Sequence, residues 1–181
     1  MAEPDVTSLT KVLNKLEQVA GEYWNDLFGN ELLTRYVLID PVVRALGWNT
    51  EDPTKVRVNY KIDSKNKRAD YALFGSKGIV ALIEAKPCGT FKNDGVPSAI
   101  YQAAKYRKSS KVPLGIVTDG LIWYTYNLCK RGPYGGRKMV EFWIDAEKSS
   151  EKELIKNARE ALRLSSNRIA SLARKALESG G

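Results

Sequence analysis

The chain has 181 residues, the size of one ordinary domain, and 43% of them are hydrophobic, enough to bury a core. Its net charge of +8 and isoelectric point near 9.4 favour a polyanionic partner, nucleic acid before an anionic membrane, because each neutralised phosphate releases a condensed counterion. The chain has no histidine, which excludes Ser/His/Asp triads, Cys/His nucleophiles, zinc deaminases and nucleases with a histidine base, and leaves any catalysis to carboxylates, lysine, tyrosine and a bound cation.

Leu9, Leu13, Leu16, Val19, Ala20, Trp24 and Leu27 recur at spacings of three and four, which predicts one amphipathic helix running up to Gly29-Asn30. A second helix is expected over 31–46, with Leu32, Tyr36, Ile39, Val43 and Leu46 on one stripe, a kink or restart at Asp40-Pro41, and Gly47 as its stop. From Val56 the period shortens to two. Val56, Val58, Tyr60 and Ile62 alternate with Lys55, Arg57, Asn59 and Lys61, a strand with one buried and one basic face. Residues 68–74 and 79–86 form two more strands joined at 75–78, and Ile79-Val80-Ala81-Leu82-Ile83 reads as a central strand covered on both faces. Pro87 ends it, having no N–H to give the ladder.

A helix over 97–108, with Ile100, Ala103 and Ala104 inward, leads to a buried strand at 114–118, which gives the strand–helix–strand order of an α/β core. Asp119-Gly120 predicts a tight turn into a strand at 122–126, residues 140–144 add an edge strand, and 130–138 form a basic, glycine-containing loop. Ser150 with Glu153 matches a capping box opening a last amphipathic helix, about 150–178, through Leu154, Ala158, Leu162, Ile169, Leu172 and Ala176. Its apolar stripe packs on the domain or forms a homodimer contact; both stay open. The expected architecture is α/β, a central mixed sheet flanked by helices, as a single domain over 1–181 with its core at about 31–146. Cys88 and Cys129 are too few and too far apart for a disulfide framework or a structural zinc site. No apolar run approaches the roughly 18 residues of a membrane span, and Met1-Ala2-Glu3-Pro4-Asp5 has no signal-peptide character, so a soluble, cytoplasmic protein is expected.

The chemistry concentrates in the second and third strands. A three-residue loop, Ser76-Lys77-Gly78, with its glycine left-handed, pairs Gly75 with Ile79. Asp70 and Glu84 then lie equally far from the turn and fall opposite one another, on one face and about 5 Å apart at Cβ. Two carboxylates so close repel unless a cation sits between them. Lys86 shares the face of Glu84, while Ala85 points away and offers its backbone carbonyl as a further oxygen ligand. Asp70, Glu84 and Ala85 thus form an oxygen donor set suited to Mg2+ or Mn2+, with the Lys86 ammonium beside it to orient a water or stabilise developing charge. Phosphodiester hydrolysis without histidine needs these parts.

Arg68-Ala69-Asp70-Tyr71 followed by Glu84-Ala85-Lys86 resembles the Asp…Glu-x-Lys signature of PD-(D/E)xK nucleases. More narrowly it resembles the N-terminal nuclease domain of type I restriction-enzyme R subunits and related stand-alone proteins. Further stretches share the likeness: Glu31 with Thr34-Arg35, Leu38-Ile39-Asp40-Pro41 and Leu46-Gly47-Trp48; Gln102 with Tyr106; and Gly115-Ile116-Val117-Thr118-Asp119-Gly120 with Trp123-Tyr124. The resemblance implies a restriction-endonuclease-like core and a DNA substrate. It also implies that Glu31 approaches the metal from its helix and that Gln102 and Tyr106, one helical turn apart, lie beside the site. Ala69 stands where the family name has proline, which leaves the ligands intact. No Gly-x-x-x-x-Gly-Lys-Ser/Thr loop occurs, and 132–138 does not fit one, so no ATP-driven motor is expected in the chain.

The resulting expectation is a Mg2+-dependent endonuclease with Asp70, Glu84, Lys86, Glu31, Gln102 and Tyr106 at its site. Lys65, Lys67, Arg68, Lys105, Lys108 and Arg131 are expected to hold the nucleic-acid backbone without reading sequence. Asp119 is expected to be a turn residue. Two rival readings stand beside the nuclease: a nucleic-acid-binding module that cuts nothing, and a subunit of a larger restriction or defence complex that works beside a motor or specificity partner.

Overall fold

The computed structural model of the protein describes residues 3–62, 67–93, 112–129 and 138–179. The helix expected over 97–108 and nearly all of the basic loop at 130–138 lie outside them. Among the described residues no helix is long and apolar enough to cross a membrane.

Helix α1 (Val6–Glu22) begins where the Asp5 side chain accepts the Ser8 N–H at 3.0 Å. The backbone leaves helical geometry at Tyr23, so the expected single helix is two, with α2 (Trp24–Leu27) as a separate turn. The break buries Leu27 fully and brings Phe28 alongside Cys88 in a parallel bridge.

The helix expected over 31–46 is α3 (Glu31–Thr34), one wide π-helical turn (Arg35–Ile39) and α4 (Asp40–Ala45). Pro41 explains the wide turn. It has no N–H for the Val37 carbonyl and its ring crowds that group, and the chain adjusts by letting the Asp40 N–H reach back five residues to the Arg35 carbonyl. Gly47, at φ +81°, ends α4.

Among the described residues six strands follow in sequence order across one sheet: β1 (Val56–Lys61), β2 (Arg68–Gly75), β3 (Gly78–Ala85), β4 (Leu114–Thr118), β5 (Ile122–Asn127) and β6 (Lys138–Trp143). Only β3 and β4 run parallel; every other neighbouring pair is antiparallel. The buried face expected of β1 is shorter than its alternation suggested. Val58 is 58% exposed and Asn59 turns to φ +50°, which interrupts the pleat of this edge strand.

One face of the sheet carries Tyr71, Leu73, Ala81, Ile83, Leu114, Ile116, Trp123 and Phe142 into the main core beneath the helices. The other carries Ala72, Leu82, Val117 and Tyr126 into a smaller cluster with Phe91 and Val112.

The terminal helix opens on the expected capping box, Ser150 and Glu153, but divides into α5 (Glu151–Ala161), a 3-10 turn (Leu162–Leu164) and α6 (Ile169–Glu178). Ser165-Ser166-Asn167 is the cause. Short polar side chains satisfy one another locally, Ser165 Oγ donating to Asn167 Oδ1 at 2.6 Å, and compete with helical backbone. The backbone groups released are taken from outside: Trp48 Nε1 donates to the Leu164 carbonyl at 3.0 Å and the Ser166 N–H to that of Leu46 at 3.0 Å. Leu154, Ala158, Ile169, Leu172 and Ala176 are buried in the main core, so the stripe left open as a dimer contact is covered within the chain.

Candidate active site

The β2–β3 hairpin sets the register of the site, and it does so differently from the sequence expectation. Gly75 pairs with Gly78 across a two-residue loop, Ser76-Lys77, with Gly78 at φ +108°. One extra residue then enters β3, because Phe74 pairs with Ile79 but Leu73 with Ala81, leaving Val80 as a bulge. Gly75 allows it: a Cβ there would lie 2.8 Å from Val80 Cγ1. The shorter loop and the bulge cancel, so Tyr71 pairs with Ile83, and Asp70, one position further, faces the strand at Glu84. Alternation puts Asp70 and Glu84 on the face of Ala72 and Leu82.

The Asp70 carboxylate is held at both oxygens. Oδ2 accepts the Ala85 N–H at 2.8 Å, and Oδ1 accepts Arg35 Nη1 at 3.1 Å in an ion pair. Arg35, at the start of the π turn, also reaches the Asp70 carbonyl (3.5 Å) and the Tyr71 hydroxyl (3.4 Å), and its guanidinium lies 4.9 Å from the Tyr71 ring centre. That hydroxyl donates to Asp40 Oδ1 at 2.7 Å, and Asp40 closes the same π turn. The two ends of the wide turn thus grip Tyr71 and Asp70 together. Burial pushes the Tyr71 pKa up, which keeps its hydroxyl protonated as a donor to Asp40. Arg35, Asp40 and Tyr71 were not among the site residues expected from sequence. Their only signal there was membership in the Thr34-Arg35, Asp40-Pro41 and Asp70-Tyr71 stretches that carry the resemblance.

Glu84 is 3% exposed, and Lys86 Nζ meets its Oε1 at 2.6 Å in a charge-assisted hydrogen bond. The Lys86 N–H binds the Thr118 carbonyl of β4 (2.8 Å), whereas the Ala85 N–H faces Asp70. A strand residue's N–H and C=O leave on the same edge, so the Ala85 carbonyl also looks toward β2 and Asp70. Two carboxylates and one carbonyl are hard oxygen donors, the kind that could hold Mg2+ or Mn2+. A carboxylate has about four lone-pair sites, and Asp70 uses two of them here.

Glu31 lies in the first turn of α3, half-buried, one turn before Arg35. Among the described residues no group of three or more Asp, Glu, Cys or His side chains is disposed to hold a metal, so Glu31 does not complete a cluster with Asp70 and Glu84 in this structure. Lys67 and Arg68 stand at the entry to β2, with Arg68 exposed and donating to the Asn59 carbonyl at 2.9 Å. Gln102, Tyr106, Lys65, Lys105, Lys108 and Arg131 lie outside the described residues.

Asp119 is a scaffold residue. Fully buried, it accepts the N–H groups of Phe91 (3.0 Å), Leu121 (3.2 Å) and Ile122 (2.9 Å), which fixes the β4–β5 turn and ties the 3-10 turn Thr90–Asn93 to it. Gly120, at φ +85°, leaves room for Leu38 and Thr34: a Cβ there would lie 2.9 Å from Leu38 Cβ and 3.0 Å from Thr34 Cγ2. Thr34 Oγ1 in turn accepts the Cys88 N–H at 2.9 Å, tying α3 to the chain just past Lys86. Burial, then the nearby Asp119, pushes the Cys88 thiol pKa up to about 12.

This is a restriction-endonuclease-like core: a six-stranded mixed sheet flanked by helices, with an Asp…Glu-x-Lys set at the end of its central hairpin. The chain belongs to the type I restriction enzyme R protein N terminus family, whose model matches residues 31–140, more than half of the chain, and it is accordingly a restriction-system, nuclease-related module. Comparison with curated proteins and with solved structures gave no match.

Proposed function

We propose that the chain is a Mg2+- or Mn2+-dependent endonuclease acting on DNA, with Asp70, Glu84 and the Ala85 carbonyl as metal ligands and Lys86 as the group that acts on the attacking water. The observation that carries this reading is the contact of the Asp70 carboxylate with the Ala85 N–H, which sets it beside Glu84 on the sheet face where the Lys86 ammonium already sits. A bound divalent cation would polarise the scissile phosphate and lower the pKa of a water. Glu84 fixes the Lys86 ammonium by its ion pair, and that ammonium would orient the water and oppose the charge that builds on the phosphoryl oxygens. Glu31, Gln102 and Tyr106 support the site in this reading. Lys65, Lys67, Arg68, Lys105, Lys108 and Arg131 hold the phosphate backbone; Lys67 and Arg68 stand three and two residues before Asp70.

The test is conversion of supercoiled plasmid to nicked or linear form in Mg2+ or Mn2+. Glu84→Ala and Lys86→Ala are expected to abolish cutting while melting as the parent does; full cutting by both variants would end the proposal. Family membership favours a second, compatible proposal, that the domain works within a larger restriction complex on DNA. Cutting that appears only when a motor or specificity subunit is added supports it, and full activity of the purified chain argues against it.

A further inference from the structure

We infer that Arg35 is a fixed counter-ion of Asp70, and that its charge keeps divalent-cation affinity low until a nucleic-acid phosphate adds negative charge, so that cation and DNA bind cooperatively. The inference rests on the metal site proposed above.

Three observations carry it. First, the partners of Asp70 are Arg35 and the Ala85 N–H, so the charge it would lend a cation is already answered by a guanidinium. Second, Arg35 does not depend on Asp70 to stay. It is stacked on Tyr71 and bonded to the Tyr71 hydroxyl, which is anchored on Asp40, and Asp40 is bonded through its backbone to Arg35 itself. A cation arriving at Asp70 therefore meets an unmoved positive charge. Third, Glu84 has the Lys86 ammonium against it, so each of the two proposed carboxylate ligands already has a cation beside it. The group that redresses the balance is an anionic phosphodiester at the same place. By linkage, whatever factor the phosphate adds to cation affinity the cation adds to DNA affinity.

The experiment is calorimetric titration of Mn2+ into the full chain, in the absence of turnover. Arg35→Gln removes the charge and is expected to bind Mn2+ about tenfold more tightly, the size expected of one like charge several ångströms from a divalent ion in a partly solvated, salt-screened site. Arg35→Lys, which keeps the charge and loses the planar fork, is expected to stay within about twofold of the parent. The parent itself should bind Mn2+ about tenfold more tightly in the presence of a phosphorothioate-linked oligothymidylate, and Arg35→Gln should show a smaller gain. Equal or weaker Mn2+ binding by a folded Arg35→Gln overturns the inference and leaves Arg35 as a strut. Should that variant not fold, the parent titration decides alone, since no gain with the oligonucleotide overturns it. Asp70→Asn separates the two levels: loss of Mn2+ binding upholds the metal site, whereas undiminished binding removes the site itself.

Discussion

Replacing Asp119 tests whether the Thr118-Asp119-Gly120 stretch is scaffold rather than chemistry. Its carboxylate is fully buried and accepts three backbone N–H groups at 2.9–3.2 Å, from Phe91, Leu121 and Ile122. Asp119→Ala leaves all three donors buried without that acceptor. At about 1–3 kcal/mol for each unsatisfied group, reduced by the relief of an expensive buried charge and by water entering the space, the net loss should be about 3 kcal/mol. Asp119→Asn keeps one acceptor oxygen for Leu121 and Ile122 but turns an NH2 toward the Phe91 N–H, and should cost about 1–2 kcal/mol. Urea unfolding followed by tryptophan fluorescence measures both, with Trp123 close by, its Nε1 donating to the Gly120 carbonyl at 3.2 Å. The pH dependence adds a signed check. Burial raises the Asp119 pKa above the ordinary carboxylate value, so the folded chain takes up this proton more readily than the unfolded one. From the ordinary value up to the raised one the parent loses stability as pH rises, and Asp119→Asn does not, so the gap between them narrows with rising pH in that window. An Asp119→Ala variant within about 0.5 kcal/mol of the parent would refute the clamp.

Gly120→Ala should destabilise by about 2–4 kcal/mol, combining left-handed strain with overpacking against Leu38 and Thr34, and thermal melting reads it directly. Cys88, buried and with its thiol pushed up to about 12, should react with a disulfide reagent only as fast as the chain unfolds, while the partly exposed Cys129 reacts in the native state. Trp48→Phe keeps the ring's packing but removes the donor to the Leu164 carbonyl, at an expected cost of about 1–2 kcal/mol in urea unfolding.

Much of the fold was legible because hydrophobic period and punctuation agree. Residues 114–118 form a strand with the expected bounds, Gly47 stops its helix, and Ser150 with Glu153 caps the helix they announce. What escaped reading depends on contacts distant in sequence. Nothing local reveals that Pro41 is accommodated by a π turn rather than a kink, yet that turn aims Arg35 and Asp40 at Tyr71. The polar triplet Ser165-Ser166-Asn167 was visible, but the break it makes is stabilised by Trp48 and Leu46, more than a hundred residues earlier. The hairpin is the instructive case. A three-residue loop was expected where the chain makes a two-residue loop and a bulge at Val80, and because both differences shift the register by one residue in opposite senses, Asp70 still faces Glu84. The packing also gives the stretches that carry the family resemblance a physical logic: Thr34 and Leu38 close over Gly120, Asp119 holds the turn beneath them, and Trp48 locks the terminal helices.

The central claim is that Asp70, Glu84 and the Ala85 carbonyl share one cation. Anomalous diffraction at the manganese edge from crystals soaked at saturating Mn2+ tests it most directly. The account predicts a peak within coordination distance of Asp70 and Glu84 on the face that carries Lys86, and a peak seated elsewhere, or none at saturation, would contradict it.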